Sequence, residues 1–145
     1  ISIRTLVEKG IIVLAAGGGG IPVYNDKDHK LEGLDAVIDK DLTAAKLGWV
    51  IRAREYYIIT DIDQVYLHFK TQQQEPILQM TATEAKQYEE KGHFQKGSMG
   101  PKIRSAVHFL KHGGSKAVIT NIQNITKAMN NQAGTTIFPE NLPTA

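Results

Sequence analysis

The sequence predicts an α/β fold in which a largely parallel β-sheet is covered by helices on both faces. Short apolar runs such as residues 56–60 and 116–120 have the length and β-branched composition of buried strands. Residues 42–50 and 101–113 instead carry helix start and stop signals. Strands that alternate with helices along a chain favour parallel pairing, because a parallel crossover needs a long connection.

The first part of the chain contains the end of a helix, one strand and one hairpin. Residues 3–10 have the pattern of the last turns of a helix that ends in glycine, without a capped start. Residues 11–15 form an apolar run that predicts a buried strand. Residues 23–31 predict a hairpin, because the polar segment 25–29 has the composition of a hairpin tip.

Strand and helix signals continue through the middle of the chain. The apolar segment 36–38 leads to Asp39-Lys40-Asp41, where Asp41 can cap a helix from Leu42 to about Val50. Three further predicted segments follow in order: the clearest buried strand at 56–60, a shorter strand at 65–67, and a polar Gln-rich loop at 69–76.

The last part of the chain predicts two helices, a strand, a short helix and a strand. Thr81 and Glu84 have the spacing of a capping box and open a helix to about Lys91. Pro101 suits the first turn of the next helix, which has an apolar face and ends in Gly113-Gly114. The remaining predicted elements are a strand at 116–120, a helix at 122–129 and a strand at 135–137.

The composition excludes several classes of function. A net charge of +2 without a run of Lys or Arg gives no argument for a nucleic acid or membrane partner. The absence of cysteine excludes disulfides and thiolate metal sites and fits a reducing compartment, so we expect a cytoplasmic protein. No secretory signal or membrane-length apolar stretch is visible. Because the chain starts at Ile1 without a capped helix, we expect it to be the C-terminal part of a longer protein or a product of proteolysis.

A run of four glycines, Gly17, Gly18, Gly19 and Gly20, follows the first predicted strand. Glycine loses the most backbone entropy on folding, so such a run is favoured where backbone N–H groups must approach an anion closely. The run is not a Walker loop, because no Gly-Lys-Ser/Thr follows, nor a dinucleotide fingerprint, because no helix follows at once. A tight structural turn explains an isolated glycine run equally well.

Two lysines lie at the starts of predicted helices. Lys40 follows an apolar segment, where open α/β sheets place their ligands, and Asp41 can hold its ammonium group. Lys102 opposes the dipole of the helix that begins near Pro101, and a bound anion would explain this. A solvated helix cap and an ordinary loop-to-helix junction are the alternatives.

Two apparent metal patterns are incomplete. His108 and His112 are four residues apart, but Phe109 stands where a zinc protease has its glutamate and no third ligand is evident. Residues 61–63 begin like a calcium loop, but the required glycine and final glutamate are missing. We therefore predict surface histidines and no metal-ligating residues. Tyr66, Phe69 and Met99 are interpreted as apolar packing, and the alternative is that they line a flat base.

Taken in order, these motifs resemble the C-terminal half of the carbamate kinases, a group within the amino acid kinase family. The matching segments cover nearly the whole chain: 15–23, 32–41, 60–66, 92–94 with 97–102, and 133–135. Each motif is weak alone, but five in this order make the match specific. Gln64 replaces the glycine most often found in its turn, and we expect little effect on chemistry.

The resemblance implies a three-layer α/β/α sandwich, a homodimer, and Mg²⁺-dependent transfer of phosphate between ATP and carbamate, giving ADP and carbamoyl phosphate. In many organisms this reaction runs toward ATP at the end of arginine breakdown. By the match, Lys40 and Lys102 stabilise charge on the transferring phosphoryl group, Asp41 orients the lysines, and the glycine run lies near the phosphate. The residues implied around the nucleotide are Thr60, Asp61, Tyr66, Ser98, Met99 and Gly100.

The resemblance also implies an N-terminal half that supplies part of the carbamate site and a further lysine. These 145 residues would then be a single nucleotide-binding part. We expect the isolated chain to bind nucleotide weakly and to have little or no kinase activity. The alternatives are another amino acid kinase acting on an acyl or amino-acid substrate, or a catalytically silent nucleotide-binding module. The retained lysines argue against the silent module, and residues 97–102 favour the carbamate kinases.

Overall fold

The structure, a computed structural model, describes residues 2–95 and 97–140. The helices are α1 (Ile3–Glu8), α2 (Lys40–Val50), α3 (Ala82–Glu90), α4 (Met99–Lys111) and α5 (Ile125–Met129). The strands are β1 (Val23–Asn25), β2 (Leu31–Gly33), β3 (Glu55–Thr60), β4 (Val65–Leu67), β5 (Glu75–Ile77), β6 (Gln79–Thr81), β7 (Lys116–Asn121) and β8 (Thr135–Phe138). The helix predicted over 122–129 is a 3-10 turn (Ile122–Asn124) followed by α5.

The main sheet has four strands in the order β3-β7-β8-β6. β7 pairs with β3 in parallel, β6 pairs with β8 in parallel, and only the β7–β8 pairing is antiparallel. The predicted α/β fold with a largely parallel sheet is therefore confirmed, with one antiparallel step. The antiparallel pairs β1–β2 and β4–β5 lie outside this sheet.

Both faces of the central strand β7 are covered. Ala117 and Ile119 are fully buried in the core cluster against which α4 packs. Val118 and Thr120 alternate with them, so they point to the opposite face, and they are also fully buried. The sheet is therefore the middle layer of the fold.

The apolar face predicted for the helix after Pro101 forms the centre of the core. Ile103, Ala106, Phe109 and Leu110 on α4 are all at most 4% exposed. α4 packs against β7 and lies between α2 and α3. The predicted capping box of α3 is also confirmed, because Thr81 and Glu84 exchange both hydrogen bonds.

The strand predicted over residues 11–15 does not form. Among the described residues no strand pairs with this segment, and Ile12 and Leu14 are 91% and 98% exposed. A β-branched run forms a strand only where a neighbouring strand pairs with its N–H and C=O groups. The apolar segment 36–38 also lies outside the sheet, and Val37 is 98% exposed.

Two predicted helix starts are corrected. α2 begins at Lys40, and the cap is Asp39, whose Oδ1 accepts hydrogen bonds from the N–H groups of Asp41 and Leu42. Asp39 takes this role because its extended backbone (ψ 131°) is that of a residue just before a helix. α1, predicted to lack a cap, is capped by the Ser2 hydroxyl, which accepts from the N–H of Thr5.

The sequence pattern missed two short strands. β5 occupies the end of the predicted Gln-rich loop and pairs with β4, so Pro76 lies opposite Tyr66. β6 directly precedes α3. Both have three residues, too few for an alternating pattern to be recognised. In the described part of the chain, no helix has the length and apolar character needed to cross a membrane.

Candidate active site

Asp41 joins the two lysines that the sequence singled out. Its Oδ2 lies 2.9 Å from Nζ of Lys102, and its Oδ1 lies 3.3 Å from Nζ of Lys40. The Lys102 and Asp41 side chains are only 15% and 13% exposed, whereas that of Lys40 is 60% exposed. The three predicted catalytic residues therefore form one cluster in which a single carboxylate contacts two ammonium groups.

The two helix starts explain how this cluster forms. Because Asp39 caps α2, the Asp41 carboxylate is released from capping and faces α4. Lys102 lies in the first part of α4, where the helix dipole disfavours a positive charge, and the Asp41 carboxylate offsets that cost. Two lysines and one aspartate leave a formal charge of +1, so the cluster favours an anionic ligand.

A cleft of about 320 Å³ opens beside this cluster at the carboxyl end of β3. Lys102 lines the cleft, so the Lys102–Asp41 pair lies at its wall. The other predicted residues in the lining are Thr60, Asp61, Tyr66, Ser98 and Met99. Three separate segments of the chain therefore meet here, at the end of a strand where α/β folds commonly place ligands. The strand predicted here as buried is β3 at the edge of the sheet, and only its Ile58 is buried.

Gly100, the remaining residue predicted near the nucleotide, does not line the cleft. It is buried in α4, and its N–H group donates to the carbonyl oxygen of Gln95 at 2.9 Å. A Cβ at Gly100 would lie 3.2 Å from that oxygen. Gly100 therefore permits the close turn that brings Gln95 and Ser98 to the cleft.

An aromatic wall forms one side of the cleft. The rings of Tyr66 and Phe69 stack at 5.9 Å, and the ammonium of Lys70 lies 5.5 Å from the Phe69 ring centre. His68 and Lys70 both have positive φ angles, 49° and 64°, which is uncommon for residues with a side chain. Aromatic faces of this kind can stack on a flat ligand group.

Tyr66 contributes a neutral hydroxyl to this wall. Its hydroxyl donates to Oδ1 of Asp63 at 3.0 Å and lies 3.3 Å from Nε2 of Gln64. Burial raises the pKa of Tyr66, and the hydrogen bond to Asp63 raises it further. The phenol therefore remains protonated at neutral pH and can act as a donor.

Sequence reasoning missed several residues in the lining. Phe69 was considered from the sequence as apolar packing or as a surface for a flat base, and it lies in the lining. His93 and Phe94 lie in one of the segments that carried the resemblance. The lining residues for which the sequence predicted no role in the site are Ile62, Lys70, His93, Phe94 and Gln95.

The glycine run lies against the start of α2. The Thr43 hydroxyl donates to the carbonyl oxygen of Gly19 at 2.9 Å, and a Cβ at Gly19 would lie 1.8 Å from the carbonyl oxygen of Ile38. Gly20 has a φ of +82°, which favours glycine. Close packing and a turn therefore explain Gly19 and Gly20. Gly17 and Gly18 have open space around them, so their proposed contact with phosphate stays a prediction.

His108 of α4 and His112, the residue that follows this helix, stack on each other. The ring centres of His108 and His112 are 4.3 Å apart; His112 is exposed, as predicted, but His108 is half-buried. Within residues 2–95 and 97–140, no group of three or more His, Asp or Glu residues could hold a metal ion.

Comparison with known proteins supports the resemblance. The model of the amino acid kinase family matches residues 2–121. A carbamate kinase of Halobacterium salinarum is 43% identical over 137 residues, which cover 94% of this chain and 44% of that protein. A carbamate kinase of Pyrococcus furiosus is 38% identical over 138 residues, or 95% of this chain and 44% of that protein.

Solved structures agree with this assignment. A carbamate kinase from Giardia lamblia bound to AMP-PNP has a TM-score of 0.86 and 33% identity, covering 95% of this chain and 48% of that one. An N-acetylglutamate synthase from Neisseria gonorrhoeae, at 21% identity and a TM-score of 0.64, shares the fold. These matches confirm the predicted amino acid kinase fold, a three-layer α/β/α sandwich.

The chain spans less than half the length of the relatives it matches. Sequence, fold and family model nevertheless agree over most of its residues. The chain belongs to the amino acid kinase family.

Proposed function

We propose that this chain is the nucleotide-binding part of a carbamate kinase, which transfers phosphate reversibly between ATP and carbamate to give ADP and carbamoyl phosphate. The observation that carries the proposal is the position of Lys102, which lines the cleft while its ammonium group contacts Asp41. Such an arrangement offers a fixed positive charge at the edge of a cleft large enough for a small ligand.

The cleft would hold the nucleotide with its base against the aromatic wall and its phosphates toward Lys102. Tyr66, Phe69 and Met99 supply the apolar surface for a flat base. Among the described residues, no side chain caps α4, and the Ser98 hydroxyl instead donates to Oε1 of Gln95. The Gly100 N–H is engaged by Gln95 and Pro101 has no N–H, so a phosphate here would be attracted by the positive end of the α4 dipole and by Lys102.

The proposed chemistry relies on charge and position. During phosphoryl transfer, negative charge is spread over the oxygens of the transferring group, and catalysis depends on stabilising that charge. Lys102 and Lys40 would supply this stabilisation, and Asp41 would hold both ammonium groups in place. The glycine run, attached to α2 through Thr43, would approach the transferred phosphate from the other side.

The lining fits a magnesium ion that is bound mainly by the phosphates of the nucleotide, because it offers too few carboxylates to enclose the ion with protein ligands alone. Asp61 is the carboxylate among the lining residues, and it is exposed. Magnesium is commonly bound by one or two carboxylates together with substrate phosphates, so Asp61 would help to hold it. When bound, the ion would neutralise phosphate charge.

We also propose that a second polypeptide surface, the N-terminal half of the same enzyme, covers the exposed apolar side chains of residues 12–37. Their exposed fractions are high: Ile12 91%, Leu14 98%, Ile21 84%, Leu31 70% and Val37 98%. A group of exposed apolar side chains in one segment is typical of an interaction surface. That half would complete the carbamate site. A homodimer, a cytoplasmic location and a place in arginine breakdown belong to the same proposal.

The test is ATP synthesis from ADP and carbamoyl phosphate by the natural protein at its full length. We expect turnover with carbamoyl phosphate but not with other acyl or amino-acid phosphates, and Lys102→Met should lower kcat by at least about 100-fold. Lys46→Met, on the exposed side of α2, is the matched control and should retain activity. Residues 1–145 alone should show little or no turnover. Full turnover by this segment, or preference for another acceptor, would contradict the proposal.

A further inference from the structure

Tyr56 lies where three elements of the site meet. It is on β3, on the same face as Ile58 in the core and Thr60 in the cleft. Its ring packs against Phe109 of α4, with ring centres 5.4 Å apart. Its hydroxyl donates to the backbone carbonyl oxygen of Asp41, in the first turn of α2, at 3.0 Å. One side chain therefore contacts the sheet, α2 and α4 together.

A second buried hydroxyl, that of Ser105, forms a hydrogen bond with the backbone of Lys102, the partner of Asp41 in the ion pair. Ser105 on α4 is fully buried, and its hydroxyl donates to the backbone carbonyl oxygen of Lys102 at 2.8 Å. The bond between Ser105 and Lys102 stays within one helix, so it shapes α4 locally. The bond from Tyr56 to Asp41 instead joins two elements 15 residues apart in the chain.

We propose that Tyr56 is a positioning residue for phosphoryl transfer, because its hydroxyl holds the first turn of α2 at the distance from α4 that lets Asp41 contact Lys102. This inference rests on the proposed function as far as catalysis is concerned. The structural part of it, that the Tyr56 hydroxyl strengthens the Asp41–Lys102 pair, stands independently.

The reason that a hydroxyl is needed lies in the geometry of the pair. The Asp41 carboxylate contacts an ammonium through each of its oxygens, so a small movement of the α2 backbone changes both contacts. The Asp39 cap fixes the direction of α2 but makes no contact with α4 in the described hydrogen bonds. Although α2 packs directly on α4, Tyr56 adds a fixed hydrogen bond at the turn that carries Asp41, since its ring contacts Phe109 while its hydroxyl donates to Asp41.

The hydroxyl also keeps its proton. Burial raises the pKa of Tyr56 to about 12, while the nearby Ser105 hydroxyl acts in the opposite direction and the charges of Asp41 and Asp39 raise it further. At neutral pH Tyr56 is therefore a constant donor, and the link to Asp41 does not depend on pH in that range.

The test compares Tyr56→Phe with Tyr57→Phe in the natural protein at its full length. Tyr56→Phe keeps the ring and its contact with Phe109 but removes the hydroxyl. Tyr57→Phe removes a hydroxyl that donates to Glu55 away from the site. We expect Tyr56→Phe to lower kcat by roughly ten- to a hundredfold, with KM for the nucleotide changed less than about twofold. Tyr57→Phe should leave both kcat and KM unchanged. A higher KM with an unchanged kcat in Tyr56→Phe would overturn the proposal.

A second measurement separates this inference from the proposed function. The coupling between Asp41 and Lys102 in the free energy of unfolding is measured with Asp41→Asn, Lys102→Met and the double variant. The cycle is then repeated in the Tyr56→Phe and Tyr57→Phe backgrounds. We expect the coupling to fall by at least half with Tyr56→Phe alone. Coupling that survives Tyr56→Phe would overturn the positioning role even if the enzyme is a carbamate kinase, and reduced coupling would support it even if the enzyme is not.

Discussion

The Nζ atom of Lys102 lies 2.9 Å from Oδ2 of Asp41, although 61 residues separate them in the chain. Each belongs to the first part of a helix, and each side chain is largely removed from solvent. Removing one member leaves the charge of the other partly buried without its partner, which is costly. The pair therefore stabilises the packing of α2 against α4, and it also places a charged group at the wall of the cleft.

Asp41→Asn should lower the turnover rate without lowering the affinity for the nucleotide. The substitution removes the negative charge that holds both lysines, so we expect kcat to fall by roughly ten- to a hundredfold. Affinity for an anionic nucleotide should not decrease, because the site becomes more positive. Steady-state kinetics and nucleotide titration measure the two effects, with exposed Asp35→Asn as the control. Weaker nucleotide binding with unchanged kcat would contradict the role given to Asp41.

Gly19→Ala should destabilise the protein, whereas Gly17→Ala should not. A Cβ at Gly19 would lie 1.8 Å from the carbonyl oxygen of Ile38, so the backbone must move. At Gly17 nothing lies within 4 Å and the φ angle is not positive. We expect Gly19→Ala to lower the free energy of unfolding by roughly 1–3 kcal/mol, as measured by urea denaturation. Equal stability of the two variants would show that the glycine run does not pack against residue 38.

Thr135→Val should loosen the aromatic wall of the cleft. The fully buried Thr135 hydroxyl accepts from the N–H of Val65 and donates to the carbonyl oxygen of Ile77, and these residues lie on the strands β4 and β5. Valine keeps the shape but leaves both groups without a partner, which costs roughly 2–4 kcal/mol in the free energy of unfolding. Thr135→Ser retains the hydroxyl and should recover most of that loss. If serine is no better than valine, the hydrogen bonds are not the cause.

Stability should decrease at high pH because of Tyr56. Its folded-state pKa is raised to about 12 from an ordinary value of 10.0, so its contribution is complete below pH 10 and is lost as the pH rises toward 12. Relative to Tyr56→Phe, the unsubstituted protein should lose at most roughly 2 to 3 kcal/mol across this range. Denaturant unfolding between pH 8 and 12 measures the difference. A constant difference over that range would mean that Tyr56 is not buried as described.

Local sequence signals correctly predicted the features that depend on residues close together in the sequence. The capping box of Thr81 and Glu84 and the apolar face of α4 depend on residues three or four positions apart, and both were predicted correctly. The cap of α2 was placed at Asp41 instead of Asp39, because two aspartates two residues apart satisfy the same local pattern. Only the backbone angles of the folded chain distinguish them.

Segment 11–15 shows where local sequence signals fail. Its composition is that of a strand, but a strand also requires a neighbour, and composition carries no information about whether that neighbour is present. The same distinction applies to the site, where residue types are visible in the sequence but contacts between them are not. Lys40, Asp41 and Lys102 could be selected from spacing and resemblance, but not the contact of both lysines with one carboxylate.

By itself, the sequence determined the α/β class, most helices, the family resemblance and the residues worth attention, because these follow from short-range patterns and ordered motifs. Only the tertiary structure decided which strands pair, which aspartate caps α2, and that Tyr56 links α2 to α4. The pairings of the main sheet and the contacts of Tyr56 join residues 15 to 61 positions apart, and such contacts form only when helices and sheet pack together. The choice of cap is local, but it depends on backbone angles that the folded chain sets.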